Sequence, residues 1–153
     1  MNKVFWLVLV LIIIFSVWAF FASRDGIVDV VENVAVEMEK LAAEDVYGGT
    51  APEETLRMFA EALEAEDVEL AAKYFLLEDD GTRGDWQDGL EQARSEGRLG
   101  EIVELIRRAR PNVEDSTYLG DFKFIVLSED GLVEYTIDME LNQQTGVWKI
   151  ESL

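Results

Sequence analysis

The run VFWLVLVLIIIFSVWAFFA, Val4 to Ala22, is nineteen residues without a charge, and it constrains the chain more than any other feature. As a helix rising 1.5 Å per residue it spans about 28 Å, close to the roughly 30 Å hydrocarbon core of a bilayer. Trp6 and Trp18 stand towards its ends, where indoles favour the membrane interface. The run predicts a transmembrane helix over 4–22. The competing reading is a secretory signal cut after Ala19, since Val17 and Ala19 are small enough for the cleavage positions. The length of the run and its continuation through Phe20 and Phe21 favour an uncleaved anchor.

Lys3 precedes the run, whereas Arg24 follows it and is offset by Asp25. The positive-inside tendency then places residues 1–3 in the cytoplasm and the rest of the chain outside, in a single-pass arrangement at the cell membrane. Of 13 basic residues only Lys3 lies before the run, and all 32 acidic residues lie after it. The exposed part therefore carries 12 positive against 32 negative charges, a net −20. Such a charge keeps a domain soluble and argues against a nucleic-acid partner. The chain has no cysteine, which excludes disulfides and a lipoprotein anchor, and no histidine, which removes the commonest general base and transition-metal ligand.

Residues 23–49 read as an acidic helical stalk or linker. Ile27, Val31, Val34, Met38 and Leu41 alternate spacings of four and three. This stripe suits a helix that spaces or packs against the domain, or a parallel self-associating stalk. Two heptads favour the first, because short coiled coils are marginal alone. Gly48-Gly49 marks a break, and residues 50–153 form the domain.

Thr50-Ala51-Pro52-Glu53 reads as a helix start with Thr50 as cap. Leu56, Phe59, Ala60 and Leu63 form the inner face of the first domain helix. Asp67 caps a second helix with Val68, Ala71, Ala72 and Phe75 inward, joined to the first through Glu64-Ala65-Glu66. A third helical region covers about 86–110, broken near Gly97, with Leu99, Ile102, Val103 and Ile106 on its apolar face and Pro111 as its stop. From Thr117 the period changes to two. Phe122, Phe124 and Val126 share one face of a strand, and Asp130-Gly131 turns the chain. The next strand places Val133, Tyr135, Ile137, Met139 and Leu141 inward, and a last strand sends Trp148 and Ile150 inward and Lys149 and Glu151 outward. Lys123 and Lys149 should face the carboxylates of the middle strand across the wet side. The expected class is α+β: an N-terminal transmembrane helix and helical stalk, then three helices on a curved antiparallel sheet.

Two stretches, PEETLRMFAEALEAEDVELAAKYF and the closing GVWKI, carry a resemblance. Thr50 to Leu153 resembles the nuclear transport factor 2-like (SnoaL-like, ketosteroid-isomerase-like) superfamily, most of all its small membrane-anchored extracytoplasmic members. The resemblance implies a cone of helices wrapped by the sheet around an apolar pocket. Some members are isomerases or dehydratases of small apolar substrates, and many others are catalytically silent binding or dimerisation modules. It also implies an early strand between the second and third helices, which the stretch around residues 79–87 does not display.

Tyr74, Trp86, Tyr135 and Trp148 are the candidate walls of a ligand pocket, each pairing apolar area with one polar tip. Packing of the core is the competing role for each. Glu134, Asp138 and Glu140 point outward by parity, and Asp121 and Asp85 stand at element edges, so no catalytic residue is assigned. Glu78-Asp79-Asp80-Gly81 fails the EF-hand spacing and reads as a solvated acidic loop, so no metal site and no cofactor are expected. Arg107, Arg108 and Arg110 form the basic cluster of the chain, at a helix end where cations complement the dipole. The expected function is a non-catalytic, membrane-anchored extracytoplasmic binding or interaction module, with a protein partner or homodimer. The alternatives are a structural component of an envelope or secretion-type assembly, and a pocket enzyme acting on a small apolar substrate.

Overall fold

A computed structural model describes residues 34–77, 81–112 and 120–153. The apolar run 4–22, the stripe residues Ile27 and Val31, and the acids 78–80 lie outside the described residues. Among those described, no helix is long and apolar enough to cross a membrane. The chain divides between Lys40 and Leu41. Residues 34–44 are helical (α1), and in the first unit Val34 and Val36 are exposed.

In the second unit, proline sets the start of α2 (Pro52–Glu64). Its ring holds the preceding Ala51 extended, at φ −131° and ψ 149°, so Ala51 rather than Thr50 flanks the helix. Thr50 lies one residue too early to cap; its N–H and hydroxyl instead donate to Glu54 Oε2 at 2.9 and 3.3 Å. The inner face holds Leu56, Phe59, Ala60 and Leu63 as expected, together with Thr55. A left-handed Glu66 turns the chain into α3 (Val68–Ala72), where Leu70 N–H donates to Asp67 Oδ1 at 3.0 Å. α4 (Gly84–Ser95) is followed by Gly97, whose φ of +70° makes the break, and α5 (Leu99–Arg108) buries Leu99, Val103 and Ile106. The last helix stops before Arg110. Pro111 cannot continue it, and Arg110–Pro111 instead forms a short strand, β1.

β1, β2 (Asp121–Leu127), β3 (Val133–Leu141) and β4 (Trp148–Ser152) pair in that order, all antiparallel. Register irregularities fall between Val126 and Leu127 and between Asp138 and Met139, and bulges of this kind curve a sheet. The helices close on one face through Phe124, Ile137, Met139 and Ile150, with Phe59 edge-on to Phe75 at 5.3 Å. A single parallel bridge joins Phe75 to Ile150 on the far side of β4, through Ile150 N–H to Tyr74 O and Leu76 N–H to Ile150 O, each 2.9 Å. The molecule thus has five helices and a curved four-stranded sheet among its described residues.

Two parity expectations need correction. Tyr135 shares the inner face of β3 with the buried Ile137 and Met139 yet is 48 % exposed, because the helical layer does not reach that end of the strand, and Val133, which the bulge at Glu134 pairs with Leu127 on the other face, is 57 % exposed. Lys149 does point to the outer face opposite Glu140, but it is 0 % exposed.

Candidate functional site

Lys149 is buried because residues 45–49 cross over the outer face of β4 as a strap. Its Nζ donates to Asp45 Oδ1 at 2.6 Å and to Lys73 O at 2.8 Å. The other oxygen of Asp45 accepts from Arg83, whose Nε also donates to Phe75 O at 2.6 Å. Asp45 is the only buried carboxylate among the described residues. Burial pulls the Lys149 ammonium down from 10.5 to about 8, against the opposing pull of Asp45. Glu140, opposite on β3, is left without that cation, and burial with the neighbouring Glu151 and Asp121 charges pushes its carboxyl up.

Backbone bonds fix the rest of the strap. Trp148 N–H donates to Gly49 O at 2.9 Å. The buried Thr55 hydroxyl accepts from Gly49 N–H at 2.8 Å and donates to Trp148 O at 3.0 Å. Gly48 adopts φ +139° with Trp148 O only 2.4 Å from where a Cβ would sit, so a side chain there collides with backbone. Upstream, Asn142 Nδ2 donates to Ala42 O at 2.8 Å. Gly48-Gly49, where the sequence suggests a domain break, is therefore a pinned crossing.

The four aromatic candidates do not meet. Tyr74 is buried at the end of the helical hairpin, and burial, reinforced by Glu61, raises its phenol. Trp86 stacks on Phe75 with ring centroids 4.1 Å apart. Trp148 is half-buried and meets Phe122 edge-on at 6.1 Å. Tyr135 lies exposed near the β2–β3 turn. None of them lines the cavities described next.

Those cavities lie between helices and at the sheet end. One of about 360 Å³ runs between α2 and α5 over Leu56, Ala60, Ile106 and Phe124, with Arg57, Glu61 and Arg107 at its rim. Another, about 440 Å³, is bordered by Arg107, Arg108, Arg110 and the β2–β3 turn. The arginines there are largely engaged by acids. Arg107 pairs with Glu104 at 2.7 Å and with Glu64, and Arg108 donates to Leu127 O at 2.8 Å and Glu134 at 3.0 Å. No group of three acidic side chains among the described residues could hold a metal.

The end of the sheet holds what parity reasoning passed over. β4 pairs with β3 only from Asp138 to Leu141, and Glu151 is the extra residue where Asp138 meets Ser152 but Met139 meets Ile150. Leu141 N–H donates to Gly120 O on the β2 side, and Asn142 N–H donates to Val147 O on the β4 side. Backbone groups alternate sides along an antiparallel strand. Thr136 consequently directs its N–H and C=O towards the β4 side, where β4 does not extend, whereas Glu134 is the extra residue of the β2–β3 bulge, set opposite Val126 together with Tyr135, and stands outside this alternation. Among the described residues no strand pairs there, and Leu132, Val133 and Tyr135 stand 66 %, 57 % and 48 % exposed beside it. The sequence signal was the mismatch between a nine-residue β3 and a five-residue β4. Compared with protein-family models, curated proteins and solved structures, the chain matches none.

Proposed function

We propose that the chain is a single-pass, membrane-anchored, non-catalytic interaction module. Val4–Ala22 holds it in the cell membrane with residues 1–3 in the cytoplasm, and a nuclear transport factor 2-like domain stands outside. The observation that carries the interaction reading is the separation of the four aromatics: each is packed in its own surroundings or exposed, while the exposed apolar side chains Leu132, Val133 and Tyr135 gather at the β2–β3 end of the sheet. A pocket enzyme needs a poised carboxylate in a closed cavity, whereas the buried carboxylate of Asp45 is engaged by Lys149 and Arg83. Helices on one face of a curved antiparallel sheet support the family reading at the level of fold class.

Because the chain has no cysteine of its own, a Gly131→Cys variant reports its own location. In intact cells a membrane-impermeant maleimide should label it, and the labelled chain should stay with membranes after an alkaline wash. Labelling only after lysis, or release of a shortened chain into the medium, would overturn the anchored topology.

A further inference from the structure

We propose that residues 45–49 form a latch: the strap opens and closes over β4 as a unit while the core stays folded, and it closes more tightly as its surroundings turn alkaline. This deepens the anchored reading above and rests on it for its setting. The strap directly follows α1, so its release lengthens the tether between anchor and domain by up to about 17 Å, at roughly 3.4 Å for each extended residue.

The strap is tied to the domain by polar contacts and not through the core. Among the described residues, none between Leu41 and Gly49 belongs to the hydrophobic cluster. Val46 and Tyr47 are 65 % and 41 % exposed, so the strap turns its own apolar side chains outward. It is held by the Asp45 pairs with Lys149 and Arg83, by the Asn142 bond to Ala42 O, and by the bonds of Gly49 to Thr55 and Trp148. A segment with so little buried apolar area opens at a lower free energy than the domain unfolds. β4 keeps its own pairing when the strap leaves: β3 stays on one side, and on the other Ile150 remains bonded to Tyr74 and Leu76. Gly48 sets the geometry of closure, since at φ +139° a Cβ would meet Trp148 O at 2.4 Å.

The ion under the strap supplies the pH response. With the strap closed, Lys149 Nζ is buried between Asp45 and the Lys73 carbonyl; with the strap open, it returns to water. Burial holds the closed-state amine at about 8, and the ordinary value is 10.5. Between these values the open strap keeps a proton that the closed one has released, so rising pH favours closure. The charged groups facing Lys149 are Asp45 from the strap, Arg83 from the start of α4, Lys73 from the end of α3 and Glu140 from β3. Glu151 lies two residues on in β4 itself. The Lys73 ammonium is bonded to Glu69 at 3.0 Å and sits over the Tyr47 ring at 5.1 Å. Lys149→Met removes the titrating amine and leaves all of these in place.

Native-state digestion of the full chain in detergent micelles tests the latch. Chymotrypsin cuts after Tyr47 only in an open strap, because Asp45 and Gly49 on either side are buried. At low protease the rate tracks the open population. The rate is divided by that for a free peptide of residues 43–51, which removes the enzyme's own pH dependence. Cutting at Tyr47 should then fall about tenfold between about pH 7 and about pH 9, as amine values of about 8 and 10.5 require. In Lys149→Met it should stay nearly flat. Gly48→Ala should raise cutting by about tenfold or more at both pH values, the scale of backbone strain at one residue. The buried Phe59 and Phe75 should remain uncut in that variant. Equal slopes with and without Lys149, cutting of the chain as fast as of the peptide, or no response to Gly48→Ala would overturn the proposal. So would cutting at Phe59 and Phe75 in step with Tyr47, since the strap would then open only with the whole domain. None of these outcomes bears on anchoring, which the labelling experiment reads separately.

Discussion

At the scale of single residues, Lys149 is the position where charge and burial conflict most sharply. Removing one partner of a buried pair leaves an uncompensated ion, whereas replacing the ion by an apolar side chain of similar volume is often nearly neutral. Asp45→Ala should therefore lower the unfolding free energy by about 3–5 kcal/mol in urea titrations. Lys149→Met should cost clearly less, since Asp45 keeps Arg83; equal losses would remove the special role of the pair. The pH dependence has a definite sign. Between about 8, where folded Lys149 titrates, and 10.5, the unfolded chain holds a proton that the folded chain has released. Stability from this group is thus lowest below pH 8 and rises with pH across that window. Relative to Lys149→Met, the unsubstituted chain should gain roughly 2 kcal/mol between about pH 7 and about pH 9.5. That interval stops short of Tyr74, whose raised phenol acts only above 10.0. A flat difference between the two proteins over this range would contradict the assignment.

At the scale of elements, the strap across β4 depends on one hydroxyl used twice. Thr55→Val keeps the shape but leaves Gly49 N–H and Trp148 O without their buried partner. A loss of about 1–3 kcal/mol is expected in thermal or urea unfolding, as for any buried polar group left unpaired. Thr55 also shows where the sequence was legible and where it was not. The helix faces at Leu56, Phe59 and Leu63, the break at Gly97, the Asp67 cap and the hairpin at Asp130-Gly131 follow from periodicity and local backbone preference. These depend on neighbours close in sequence. Lys149 bonds to a residue 104 positions away and Thr55 to one 93 away, and no local pattern encodes such a partner. Parity placed Lys149 on the outer face correctly, but it carries no information about what lies over that face. The same gap hid the exposure of Tyr135, since alternation gives a side chain's face and says nothing about how far the helical layer extends.

For the whole molecule, the strap moves the working boundary of the domain. The compact unit begins at Leu41, ahead of Gly48-Gly49, and takes in Ala42 and Asp45. A chain starting at Leu41 should fold cooperatively, with dispersed NMR signals and a single urea transition. One starting at Thr50 lacks the counter-ion of Lys149 and the carbonyl bonded by Trp148, and it should lose several kcal/mol or fail to fold. Comparable stability of the two chains would mean that the strap is only a covering.

The strap also imposes an order in time. Asp45, Thr55 and Phe75 all find partners on Lys149, Trp148 and Ile150, so early residues of the domain wait for the strand that is synthesised last among its elements. Contacts this distant along the chain form slowly because their loops must close before the contacts are rewarded. As the polypeptide lengthens, its helical hairpin can assemble locally, while Asp45 lacks the Lys149 ammonium until β4 emerges. Closure of the strap is then a late event, and it completes only in chains whose final strand has been made.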